Sequence, residues 1–133
     1  MKILFLDDDV SRVESFQKGT GLVVTHVKNY QEFVDAMNTG QRFDIIMLDH
    51  DLGYPEDVVG TGADAMKFLV DDDKWRSVGG VQQVIIHSAN PIGVANMMAL
   101  SKHAPYLQVD VVYFAWAKAR YTEKDGLVFG YSI

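Results

Sequence analysis

The chain has no cysteine, which excludes disulfides, thiolate metal sites and cysteine nucleophiles. It also has no surplus of positive charge. A formal net charge of -6 leaves no excess of lysine and arginine to release counterions from an extended nucleic-acid duplex. A small phosphorylated ligand held through a metal ion is still compatible with that balance. No apolar run approaches the length of a membrane span, and the run at residues 3–6 is too short before Asp7 for a signal peptide. Internal repeats, low-complexity segments and linkers are lacking as well. The expectation is a cytoplasmic protein with no membrane partner, folded as a single domain over residues 1–133. At 133 residues, with 48% hydrophobic and 23% charged side chains, it has the length and composition of a globular chain with a real core.

What is present is a repeating alternation. Apolar, strand-forming runs stand at 3–6, 22–27, 45–48, 81–86 and 109–114. The run at 45–48 has no polar alternation, as a strand covered on both faces requires. Between the runs lie helical patterns. Ser11 with Glu14 reads as a capping box, with Val13 and Phe16 buried and Gly19 and Gly21 as stops. Asn29 caps a second helix to about Asn38, burying Phe33, Val34 and Met37, with Gly40 as the stop. A third spans 63–70 with Ala65, Met66 and Leu69 inward. Asn90 followed by Pro91 is a strong start for a fourth, reaching about His103. Residues 53–62, with three glycines, read as a mobile loop. The tail reads as a hairpin over 115–121 and 127–133 with Asp125-Gly126 as its turn; a helix over 117–124 is the competing reading. Its exposed edge offers a second copy a place to pair, giving a homodimer.

Five strands alternating with four helices predict an α/β, doubly wound, mostly parallel five-stranded sheet. Right-handed crossovers then bring the ends of strands one, three and four together, and the carboxyl ends are where such sheets hold ligands. Asp7, Asp8, Asp49, His50, His87 and Ser88 should therefore converge. Read alone, Asp7-Asp8-Asp9 would be a solvated turn. Two distant strands ending in acid favour a shared cation instead, because carboxylates at close range resist ionising together. An all-oxygen set suits Mg²⁺ or Mn²⁺. His50 and His87 would be proton carriers near neutral pH, or metal ligands. Ser88 would donate to a phosphate oxygen. Asn90, Gly93 and Asn96, at the start of the fourth helix, would bind substrate through that helix's amides. For Asn90 a plain cap, and for Gly93 close packing, are the competing readings.

These residues resemble the receiver domain of bacterial response regulators over residues 1 to about 114. Ile3 to Asp9 is similar to the receiver's first strand and acidic pair, here Asp7 and Asp8. Asp49 stands where that family keeps its phospho-accepting aspartate, and Ser88-Ala89 is similar to its Thr/Ser-Ala pair. Asp51 falls where a backbone carbonyl completes the magnesium site. The family's lysine at the end of strand five is missing around Ala115, with Lys118 three positions on. Leu-Asp-His-Asp-Leu-Gly at 48–53 and Ile-His-Ser-Ala-Asn-Pro-Ile-Gly-Val-Ala-Asn-Met at 86–97 resemble a divergent group, the cyclic-phosphate processing receiver domains of bacteria and phages.

The resemblance implies a receiver- or flavodoxin-like sheet of order 2-1-3-4-5, a core at 1–114, and an atypical tail at 115–133 in place of the last helix. It implies a metal-dependent phosphodiesterase-type hydrolase acting on a cyclic nucleotide or a cyclic-phosphate RNA end. Asp7, Asp8, Asp49 and Asp51 would hold the metal. Asp49, His50, His87 and Ser88 would carry the chemistry, with Asp49 as ligand or as nucleophile. The first alternative is a signalling switch phosphorylated on Asp49. The second is an inactive binding module.

Overall fold

The computed structural model describes residues 1–71, 80–112, 119–122 and 126–129. Ala115, Lys118 and Asp125, on which parts of the tail reading rest, lie outside them. Five parallel strands form one sheet: β1 Ile3–Leu6, β2 Thr25–Val27, β3 Ile45–Leu48, β4 Gln83–Ile86 and β5 Gln108–Val111. Their order is β2-β1-β3-β4-β5, as expected. β1, β3 and β4 are buried at every position, which explains the unbroken apolar runs of β1 and β3 and of residues 84–86 in β4, behind the buried Gln83.

The helices are α1 Val10–Thr20, α2 Tyr30–Met37, the short α3 Glu56–Val59, α4 Gly62–Asp71 and α5 Pro91–Ser101. Strand alternation divides the core in two. Leu4, Leu6, Ile46, Leu48, Val84 and Ile86 face a cluster built with α2, α4 and α5. Ile3, Phe5, Ile45, Met47 and Ile85 face a second cluster with Val13 and Phe16 of α1. Among the described residues no helix is long and apolar enough to cross a membrane.

Several boundaries differ from the sequence reading. α1 is capped by Asp9, whose Oδ1 accepts from the Ser11 amide and hydroxyl at 2.9 and 2.6 Å, so Ser11 is not the cap. β2 starts at Thr25 rather than residue 22, because the ladder with β1 begins at Leu4↔Thr25. Leu22 and Val24 pack on the second cluster outside the ladder. Residues 53–62 are not simply a loop. They contain α3, and an antiparallel bridge joins Asp51 to Thr61. Thr61 and Asp64 then start α4 by reciprocal bonds: the Thr61 amide donates to Asp64 Oδ2 (2.8 Å) and the Asp64 amide to Thr61 Oγ1 (3.4 Å).

In the tail, β6 Ala119–Thr122 pairs antiparallel with β7 Gly126–Phe129, so the hairpin reading holds over these residues. Leu127 inserts into the second cluster beside α1. The hairpin is fixed by the buried side chain of Gln83, which imitates a strand. Its Oε1 accepts from the Leu127 amide (2.8 Å), and its Nε2 donates to the Leu127 carbonyl (2.9 Å) and to Asp110 Oδ2 (2.7 Å). Replacing Gln83 by leucine leaves that amide and carbonyl buried and unbonded. We expect a loss of roughly 2–3 kcal/mol, read as a lower urea midpoint; an unchanged midpoint would mean that the hairpin is held elsewhere.

Candidate functional site

One backbone device aligns the site. Beyond each strand the ladder continues by one bond: the Asp7 amide donates to the Val27 carbonyl (3.0 Å), Asp49 to Leu6 (2.9 Å) and His87 to Leu48 (3.0 Å). Asp7, Asp49 and His87 therefore stand in a row at the carboxyl edge of the sheet. Asp7, Asp8 and Asp49 each bring a carboxylate oxygen within 4.8 Å of the others, a grouping able to hold a metal ion. The hard-oxygen donor set fits a divalent cation.

Asp7 is fully buried and uses all its lone pairs. Oδ1 accepts from the Asp9 amide (2.8 Å) and Arg12 Nη2 (2.8 Å); Oδ2 accepts from Arg12 Nε (2.8 Å) and His87 Nε2 (3.1 Å). Burial pushes its carboxyl upward, but the bonds from His87, Arg12 and the Asp9 amide outweigh it and bring it down to about 2. Asp49 goes the other way. Burial, then the charge of Asp7, raise it to about 7 against the pull of Arg12 and the His50 amide. Burial and the Asp7 charge raise Asp8 too, although its side chain is 39% exposed.

The histidines separate. His87 is wholly buried under Asp7, its ring 4.6 Å from that of Phe5, and burial lowers its pKa. The imidazole donates from Nε2 to the Asp7 carboxylate, which can only accept. It follows Ile85 onto the α1 face while Ser88 turns the other way, as strand alternation requires. His50, the residue after Asp49, has Nδ1 2.8 Å from Asp51 Oδ1. Its ring packs on Gly93, where a Cβ would fall 2.4 Å from His50 Cγ. Close packing thus accounts for Gly93, whose amide is already bonded to Asn90 Oδ1 (3.1 Å) and is not turned to an anion. Asn90 is the cap, and its Nδ2 also donates to Asp51 at 3.3 Å. Asn96 is exposed on α5, outside the lining of the cavity next to the acids.

That cavity, about 460 Å³, is lined by Asp8, Arg12, Asp49, Asp51, Tyr54 and Ser88 among others. The Ser88 Oγ accepts from the Asn90 amide at 3.1 Å, which leaves its proton for a ligand. Asp51 contributes a side chain bonded to His50 and Asn90 and is not in the three-acid grouping.

The sequence of the cyclic-phosphate processing receiver domain, as a family, matches residues 2–103. The chain belongs to that family. Every site residue described above lies within the matched span of this receiver domain, whereas β5 and the hairpin lie beyond it. Curated proteins yield no match.

Two residues of this cyclic-phosphate processing receiver domain escaped the sequence reading. His26 Nε2 donates to the Asp7 carbonyl at 2.6 Å, tying β2 to the site. Arg12 is the larger omission. Besides Asp7 it reaches Asp49 Oδ2 (3.2 Å), Asp8 (3.5 Å) and Asp9 (3.4 Å). A signal was present: a cation in the first turn of a helix opposes the helix dipole and needs local acids to hold it.

Proposed function

We propose that this receiver domain is a divalent-cation-dependent phosphoesterase that opens a cyclic phosphate, in a nucleotide or at an RNA end. The observation that carries this reading is the meeting of Asp7, Asp8 and Asp49 beside a cavity that Ser88 also lines. The three carboxylates would hold Mg²⁺ or Mn²⁺. When bound, such an ion supplies positive charge to polarise the phosphate and favour attack by water.

The chain's own groups divide the remaining work. Ser88 donates its hydroxyl proton to a phosphate oxygen. Asp51 keeps the proton of His50 on Nδ1, so Nε2 is the basic atom. Ring opening adds one water across one P–O bond: its oxygen goes to phosphorus and its proton, through His50, to the leaving oxygen. His87 is too deeply buried to meet substrate, and we assign it the task of orienting Asp7. The expected catalytic role of His87 becomes a positioning one in this reading, and Asn90 and Gly93 shape the site without touching substrate. Small cyclic phosphates of the cytoplasm are the implied ligands.

The test offers purified protein 2′,3′- and 3′,5′-cyclic nucleotides and acetyl phosphate, with Mg²⁺ or Mn²⁺ and with chelator. We expect metal-dependent ring opening that falls at least about 100-fold in Asp8→Asn, a change at an exposed side chain that spares the core. No turnover, with a stable mass gain of one phosphate on Asp49, would replace this reading with a phosphorylated switch.

A further inference from the structure

We propose that Arg12 is a two-position cation: it occupies the acidic cluster when no divalent ion is bound and turns to the phosphate when one is. This rests on the metal and phosphate reading above, and concerns a residue that reading does not use.

Position in the helix explains how Arg12 arrives. With Asp9 as cap, Arg12 is the third residue of α1, and helical side chains lean back towards the amino terminus. Its fork therefore falls over Asp7, Asp8 and Asp49, the same three acids that are grouped to hold a metal. Both cannot use Asp7 at once. That carboxylate already accepts four bonds, two of them from Arg12, and a carboxylate has about four lone-pair positions. The Asp9 amide and His87 are held by backbone and core, so the movable partner is the arginine. Its side chain is 32% exposed and lines the cavity. Among the described residues that line it, Arg12 is the one cation. A planar guanidinium is suited to two phosphate oxygens at once.

Opposite effects on two ligands follow. Arg12→Gln removes a competitor of the metal and a partner of the phosphate. Mn²⁺ alone, titrated by electron paramagnetic resonance, should bind Arg12→Gln about tenfold or more tightly than the parent. Inorganic phosphate, titrated calorimetrically at saturating Mn²⁺, should bind it about tenfold or more weakly. Arg12→Lys, which keeps the charge but loses the fork, should lie between the two on both measures and serves if the glutamine variant does not fold.

Weaker or unchanged Mn²⁺ binding in both variants would overturn the competition, and unchanged phosphate binding would overturn the second position. Neither readout involves turnover, so a protein that opens no cyclic phosphate can still show the paired shifts. Failure of Mn²⁺ to bind even the parent would instead remove the metal reading, and this inference with it.

Discussion

Asp49→Asn should give a metal-free protein more stable than the parent at pH 8, and one whose Mn²⁺ affinity has fallen at least about 100-fold. The physical reason is the penalty that burial, then Asp7, place on the Asp49 charge, raising its pKa from 3.8 to about 7. A carboxyl with a folded-state pKa above its unfolded one binds more protons when folded. Stability is therefore highest while it is neutral and falls as pH rises from about 4 to about 7. At about 1.4 kcal/mol per unit, the charge costs on the order of 4 kcal/mol at pH 8. Asparagine avoids that cost but satisfies Arg12 and the His50 amide less well, at about 1–2 kcal/mol. The first effect wins, by roughly 2 kcal/mol. Asp7 acts in a different window. Its pKa is lowered to about 2, so its contribution is present above about 4 and lost as pH falls towards 2. Buried His87, whose pKa is lowered, adds stability as pH rises towards 6.5 in both proteins, so the Asp49 effect is read as a difference: the chelated parent should lose stability relative to Asp49→Asn between pH 5 and pH 8. Urea titrations of both proteins at pH 5 and pH 8 decide this; a parent-to-variant difference that is the same at both would show that Asp49 carries no such penalty. Added Mn²⁺ should restore stability at pH 8 in the parent and not in the variant.

Gly62→Ala should act in the opposite direction and destabilise the fold, by about 3 kcal/mol or more. A Cβ at residue 62 would lie 1.9 Å from the Asp49 carbonyl oxygen and 2.9 Å from Met97 Sδ. The methionine can move, but the carbonyl belongs to the main chain just past β3 and cannot. The Gly62 amide is also bonded to the His50 carbonyl at 2.9 Å, so the start of α4 is clamped against the site. We expect a melting temperature lower by roughly 10 °C or more, together with weakened Mn²⁺ binding as Asp49 shifts. A variant that melts like the parent would mean that α4 can slide. Gly93→Ala is the instructive contrast. Its methyl meets the His50 ring, a side chain that can rotate, so the cost falls on the His50–Asp51 pair more than on the fold.

Where the chain's local chemistry and its tertiary packing agree, the sequence could be read. The apolar runs of β1, β3 and β4 each stop at the residue that opens the site, because a strand buried on both faces has nowhere else to carry charge. Asn29 and Asn90 announce their helices through one short side chain and the amides after it. The omissions have a common origin in contacts between distant residues. Arg12 meets Asp49 only once α1 and β3 are neighbours, and His26 meets Asp7 only across the β1–β2 ladder. His87 and His50 look equivalent as strand-end imidazoles. Strand alternation, which sends His87 under Asp7, is what separates them. Gln83 gave no sign of pinning a hairpin more than forty positions away.

The antiparallel bridge between Asp51 and Thr61 ties the neck of a segment whose tip, at Tyr54, is 94% exposed. The bridge holds the two ends of that segment together, backed by the Gly62 amide on the His50 carbonyl. The side chain of Tyr54 forms part of the rim of the cavity beside Asp8 and Asp49, so a change there reshapes the rim while the bridge keeps the chain closed beneath it.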